Sequence, residues 1–136
     1  MSILRAIIKR KREDLPRETI IRKVKKLLNI GLKKYKDTEL FYKSDEEFLF
    51  LEKYYDKLKL ENADRIQYVY KGRKRFYYPD FYYAPMNLII EIKEPRNYWD
   101  NKEKNDYKKD ACLNQGFTYI LILSPNYDNF NELMKL

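Results

Sequence analysis

Residues 79–93 read Pro-Asp-Phe-Tyr-Tyr-Ala-Pro-Met-Asn-Leu-Ile-Ile-Glu-Ile-Lys, and the fold turns on this stretch. Its second half, Leu88 to Lys93, is a branched apolar run that predicts a β-strand. Successive side chains of a strand point to opposite faces, so Glu91 and Lys93 share one face while Ile90 and Ile92 take the other. The first half contributes Asp80, directly after Pro79. Proline cannot donate to a ladder, so pairing is expected to be interrupted there. Two carboxylates and a lysine can then converge where two strands part.

Working outward, Arg65 to Tyr70, a turn at Lys71-Gly72 and Arg73 to Tyr83 predict a β-hairpin rich in tyrosine and phenylalanine. Tyr77, Tyr78, Tyr82 and Tyr83 fall in it; half are expected in the core, and the other half could stack on bases. Upstream, Phe48, Leu51, Tyr54, Tyr55 and Leu58 recur at helical spacing and predict a helix from Ser44 to about Leu58. Before it, Met1 to Arg12 reads as a basic arm. A helix capped by Asp14 follows, with Pro16 in its first turn, an apolar stripe from Ile20 to Leu28 and Gly31 at its stop. Downstream, Asp100 is expected to cap a helix reaching about Asn114, with Gly116 as stop signal. Phe117 to Leu123 is nearly all apolar, as a buried central strand should be. A short helix from about Asp128 closes the chain. The expected fold is α/β, an αβββαβ core with a mixed four-stranded sheet flanked by helices. It divides into a basic helical N-terminal extension, 1–43, and a core, 44–136.

The chain has 136 residues and 44% hydrophobic content, enough for one domain with its own core. It has no histidine, which excludes histidine-based nucleases, Ser-His and Cys-His hydrolases and Cys/His zinc sites. The single cysteine, Cys112, cannot form an internal disulfide and reads as a half-buried thiol. No stretch approaches the roughly 20 apolar residues of a membrane span, and no signal peptide is evident, so a soluble intracellular protein is expected, with no membrane partner. A net charge of +8 makes a polyanion the natural partner. Lys23 and Lys26 on the first helix and Arg73 and Arg75 in the hairpin are candidate phosphate contacts, with a solvated charged face as the plain alternative for the helix.

Asp80, Glu91 and Lys93 suit phosphodiester hydrolysis. Hard oxygen ligands hold Mg²⁺, or equally Mn²⁺, which polarises phosphate and acidifies water. Lys93 could orient or deprotonate that water, or neutralise charge in the transition state. Pro79-Asp80-Phe81 followed by Glu91-Ile92-Lys93 resembles the motif of the PD-(D/E)xK nuclease superfamily, and from about Ser44 to Ser124 the predicted elements match that family's core in order and spacing. The resemblance implies a metal-dependent DNA endonuclease with Asp80 and Glu91 on the metal. It also implies an acidic residue from the preceding helix and basic residues near the scissile phosphate, such as Lys108 and Lys109. Glu47 shares a stripe with Leu51, Tyr54 and Leu58 and is the candidate helix carboxylate, expected on the metal with Asp80 and Glu91, but Ser44-x-x-Glu47 is also a capping box. Small size and charge resemble phage or archaeal junction-resolving nucleases, with a homing or phage-encoded site-specific endonuclease close behind. Cutting two strands needs two sites, hence a homodimer, whereas a nickase needs only a monomer. The reading from another class is a non-catalytic nucleic-acid-binding module using the basic helices.

Overall fold

The computed structural model describes residues 31–136; the basic arm and the first helix, with Lys23 and Lys26, lie outside the described residues. The described chain opens with two short antiparallel strands, Lys33–Lys34 (β1) and Phe41–Tyr42 (β2). No strand is expected there from sequence. Residues 31–43 also send Tyr35 and Leu40 into the core beside Phe50 and Leu51. Helix α1, Asp45–Tyr54, begins at a complete capping box. It ends four residues before the predicted limit, because the Tyr54 carbonyl accepts from both the Lys57 and Leu58 amides at 3.0 Å, tightening the last turn.

The hairpin forms as Ile66–Tyr70 (β3) and Arg73–Tyr77 (β4), with Tyr70 paired to Arg73 across Lys71-Gly72. Both turn residues have positive φ, 51° and 73°, which matches a two-residue turn to the twist of the strands. β4 does not run on to Tyr83. The chain leaves its ladder at Tyr78 and re-enters a different one at Phe81–Tyr83 (β5). A 3₁₀ turn, Ala84–Met86, leads into Leu88–Lys93 (β6).

The predicted four-stranded sheet is therefore corrected: a mixed sheet of order β5-β6-β7 is separate from the two-stranded β3–β4 sheet. The physical cause lies at Pro79, which is fully buried and has no N–H to continue the ladder. β5 is antiparallel to β6, and Thr118–Leu123 (β7) is parallel to it. The buried central strand is thus β6, not the Phe117 to Leu123 run. In β7 only Ile122 is fully covered, since among the described residues no strand pairs beyond it.

The crossover from β6 to β7 carries two helices, Pro95–Asp100 (α2) and Lys102–Asn114 (α3). The helical stretch begins earlier than Asp100, because the Glu94 carboxylate caps it by accepting from the Arg96 and Asn97 amides and Pro95 fills the first position. Asp128–Met134 (α4) closes the fold.

Two layers of side chains cover the mixed sheet. On one face Phe50, Leu51 and Tyr54 of α1 and Phe130 of α4 pack on Phe81, Leu88, Ile90, Ile92 and Ile122. Phe50 stacks on Phe81 at 5.5 Å and meets Phe130 edge-on at 5.2 Å. Burying each such ring contributes about 1.5–3 kcal/mol. On the other face Ile89 meets Ile66 of β3 and Cys112 of α3. Cys112 is fully rather than half buried, with its Sγ 3.0 Å from the Tyr77 hydroxyl. Burial pushes its thiol up to about 11, which leaves it unreactive. Among the described residues, no helix is long and apolar enough to cross a membrane.

Candidate active site

Alternation along β6 decides which side chains are free for chemistry. Ile90 and Ile92 are spent on the α1 side of the core, and Glu91 and Lys93 are left on the α3 side with Ile89. Lys93 Nζ stands 3.8 Å from Glu91 Oε2. Asp80 arrives from the neighbouring strand one residue before β5 begins, and its Oδ2 accepts the Ile92 amide at 2.8 Å.

A residue outside the predicted set holds this junction. Glu61 exchanges backbone hydrogen bonds with Tyr82, 2.9 and 2.7 Å, which brings the next residue, buried Asn62, between two segments. The Asn62 amide accepts from Phe41 N–H at 2.7 Å, donates to Phe41 C=O at 2.8 Å, and donates to Asp80 C=O at 3.2 Å. β2 and the Asp80 backbone are thereby tied by one side chain. An asparagine in a loop carries no sequence signal for this, since its partners are 21 and 18 residues away.

Glu91 is only 4% exposed, and its Oε1 is buried with no hydrogen-bond partner. Burial first, and then the Glu91 and Glu47 charges, hold the Asp80 carboxyl well above the usual range, against the pull of Lys93 and the Ile92 amide. Burial likewise pushes Glu91 up to about 7, aided by Glu47 and opposed by Lys93 and Lys108. Both carboxyls therefore hold a proton to higher pH than a free carboxylate would. An orphaned buried carboxylate oxygen next to a second crowded carboxylate fits a divalent cation, which would relieve both the missing partner and the repulsion. The donor set is oxygen only, as Mg²⁺ and Mn²⁺ require.

Glu47 is otherwise engaged. Its Oε2 accepts from the Ser44 amide at 3.0 Å and from the Ser44 hydroxyl at 2.7 Å, completing the capping box. Its charge still reaches Asp80 and Glu91. Among the described residues no group of three carboxylate or thiol side chains stands together as a closed metal cage, so Asp80 and Glu91 are the two residues that would hold a cation.

A cleft of about 580 Å³ opens beside Asp80, with Lys43, Glu47, Asn62, Tyr78 and Lys93 among its walls, and Glu91 lies buried behind it. Its size is that of a small-molecule or nucleotide site. The structure separates the two α3 lysines. Lys108 is half-buried, with Nζ 4.9 Å from the Tyr77 ring and 5.8 Å from Tyr68, and burial together with Lys93 lowers its affinity for a proton. Lys109 is exposed, 6.0 Å from Tyr119. Arg73 and Arg75 of β4 lie opposite Tyr70 and Tyr68. Arg75 is half-buried over the Tyr70 ring at 5.6 Å, and Arg73 is exposed. Compared with known protein families, curated proteins and solved structures, the chain matches none.

Proposed function

We propose that the protein is a metal-dependent DNA endonuclease of the PD-(D/E)xK kind, hydrolysing phosphodiester bonds at Asp80, Glu91 and Lys93. The observation that carries the reading is the buried, unpartnered Oε1 of Glu91, in a carboxylate held beside Asp80 and Lys93. Burying a carboxylate with one oxygen unsatisfied and only a long ion pair on the other costs stability, and such a cost persists at sites of function.

A divalent cation held by Asp80 and Glu91 would supply positive charge to the scissile phosphate and acidify the attacking water. Lys93, at the edge of the pair and 27% exposed on its side chain, is suited to orient that water and to stabilise charge growing on phosphate oxygens. Lys108 adds a second positive charge from α3, felt by both carboxylates. Glu47 contributes negative charge through space while its carboxylate caps α1.

The test is cleavage of labelled linear duplex, four-way junction and single-stranded DNA with Mg²⁺, with Mn²⁺ or with EDTA. Metal-dependent cutting that disappears in Glu91→Ala, with DNA binding retained, is the expected result. Preference for the junction assigns a resolvase, and cutting of duplex at discrete positions assigns a site-specific endonuclease. Salt-sensitive binding with no cutting under any metal replaces the enzyme by a non-catalytic binding module.

A further inference from the structure

Residues 65–78 contain Arg65, Lys71, Arg73, Lys74 and Arg75 and no acidic residue. Among the described residues none of these five makes an ion pair. A stretch with one sign of charge and no internal neutralisation repels itself and attracts a polyanion. The stretch also forms its own two-stranded sheet, packed by one face on α3.

The two faces of this ribbon differ. Ile66 and Tyr68 are buried, and Ile66 packs with Cys112 of α3 while Tyr70 meets Tyr107 edge-on at 5.4 Å. The outer face carries Gln67, Val69, Lys74 and Phe76, with Gln67 opposite Phe76 and Val69 opposite Lys74. Val69 and Phe76 are each 52% exposed, and the Arg65 guanidinium lies 4.4 Å from the Phe76 ring centre. Two residues past Phe76, Tyr78 is 40% exposed and lines the cleft that holds Asp80. Lys74 to Tyr78 spans about 13 Å of extended chain, or about four base-pair steps of rise along a duplex axis. A two-stranded ribbon is also narrow enough to enter a DNA groove.

We propose that the outer face of the β3–β4 hairpin is an arm along which DNA runs into the cleft, with Arg65 and Lys74 of that face and Lys71 of the turn, 5.3 Å from the Tyr70 ring, on phosphates and Val69 and Phe76 against sugar or base. This deepens, and rests on, the nuclease reading for what happens at the end of the path, but the binding itself is measurable without cleavage. Arg75, the half-buried cation of the inner face, is not part of the arm.

The experiment measures anisotropy of labelled duplex DNA in EDTA, across a salt series, for the wild type and two double variants of equal charge change. Lys71→Glu/Lys74→Glu alters the arm. Lys57→Glu/Lys59→Glu alters exposed positions following α1, on the other side of the mixed sheet, and serves as control; circular dichroism checks both folds. The arm variant is expected to lose about tenfold or more in affinity and to flatten the salt slope by about two contacts, with less than about threefold lost in the control. Equal losses in both reduce the effect to net charge and overturn the arm, as does normal binding by the arm variant. Cleavage by the wild type with Mg²⁺ or Mn²⁺ is scored separately. An arm variant that binds normally in a protein that cuts sinks this inference alone, and loss of binding in a protein that never cuts supports the arm and sinks the nuclease reading alone.

Discussion

Asp80 and Ile92 are joined by a hydrogen bond between a side chain and a backbone amide: Asp80 Oδ2 accepts the Ile92 N–H at 2.8 Å. β5 pairs with β6 only from Phe81, opposite Ile90, so beyond that point the ladder supplies no acceptor. The Asp80 carboxylate takes the place of the missing strand carbonyl. Because Ile92 lies between Glu91 and Lys93, the same bond sets Asp80 beside both.

Charge and tether can be separated at this position. Asp80→Asn keeps an acceptor for the Ile92 amide and removes the charge, whereas Asp80→Ala removes both. Each is expected to lower cleavage by about a thousandfold, the loss of about 4 kcal/mol of transition-state stabilisation. Only Asp80→Ala should also lose stability, about 1–2 kcal/mol for an orphaned amide. Urea melts of the two variants beside single-turnover cleavage give the comparison, and equal stability would remove the tethering role.

Glu91→Gln should stabilise the protein while abolishing cutting. Burial raises the Glu91 carboxyl to about 7, so its folded pKa lies above its unfolded one. The stability this contributes is fully present below the ordinary carboxylate range and is lost as pH rises through about 7. Asp80 acts in the same direction. The variant is expected to exceed the wild type by about 1–2 kcal/mol at pH 8 and to match it near pH 4.5. Thermal melts at both pH values decide it; a less stable variant at pH 8 would mean that the buried charge is already satisfied.

Cation binding and proton loss should be linked. Mg²⁺ or Mn²⁺ held by Asp80 and Glu91 would compete with protons on these raised carboxyls, so affinity is expected to climb with pH from 6 to 8, by up to about tenfold per unit for each proton displaced. Calorimetry with the metal alone at pH 6, 7 and 8 reads this without any DNA. Affinity that ignores pH would place the cation elsewhere.

Lys108 and Lys109 are expected to behave differently although adjacent. Lys108→Met removes a half-buried charge that reaches Glu91 and should lower cleavage by about ten- to a hundredfold, moving the midpoint of the pH–rate profile upward because the charge holding Glu91 down is gone. Lys109→Met should stay within about twofold. Two variants of equal effect would mean that α3 contributes only general charge.

Asn62→Ala should cost about 2–4 kcal/mol, since the buried amide satisfies both backbone groups of Phe41 and the carbonyl of Asp80. Chemical denaturation measures it. A change below about 0.5 kcal/mol would show that the β2 junction is held by packing instead.

Much of the site's geometry is local and hence readable from the chain. Period-two alternation puts Glu91 and Lys93 on one face of β6, a buried proline at 79 ends a ladder, and Ser44-x-x-Glu47 closes a capping box. Each depends on residues a few positions apart, where backbone geometry alone fixes the relationship. The Glu94-Pro95 start of α2 was equally local, but Asp100 competed as a cap signal and only the hydrogen bonds distinguish them.

What the tertiary structure alone decided is long-range. Division of the strands into two sheets, β6 rather than β7 at the centre, the Asn62 clamp, and Lys108 rather than Lys109 against Tyr77 all depend on contacts between segments distant in sequence. The burial that raises Asp80 and Glu91 together belongs to this class as well. Composition and spacing determined which groups could do chemistry and which strand faces they occupy; the packing of α1 on one side of the sheet and α3 on the other decided which of them lost water, and desolvation turns a pair of ordinary carboxylates into a candidate metal site.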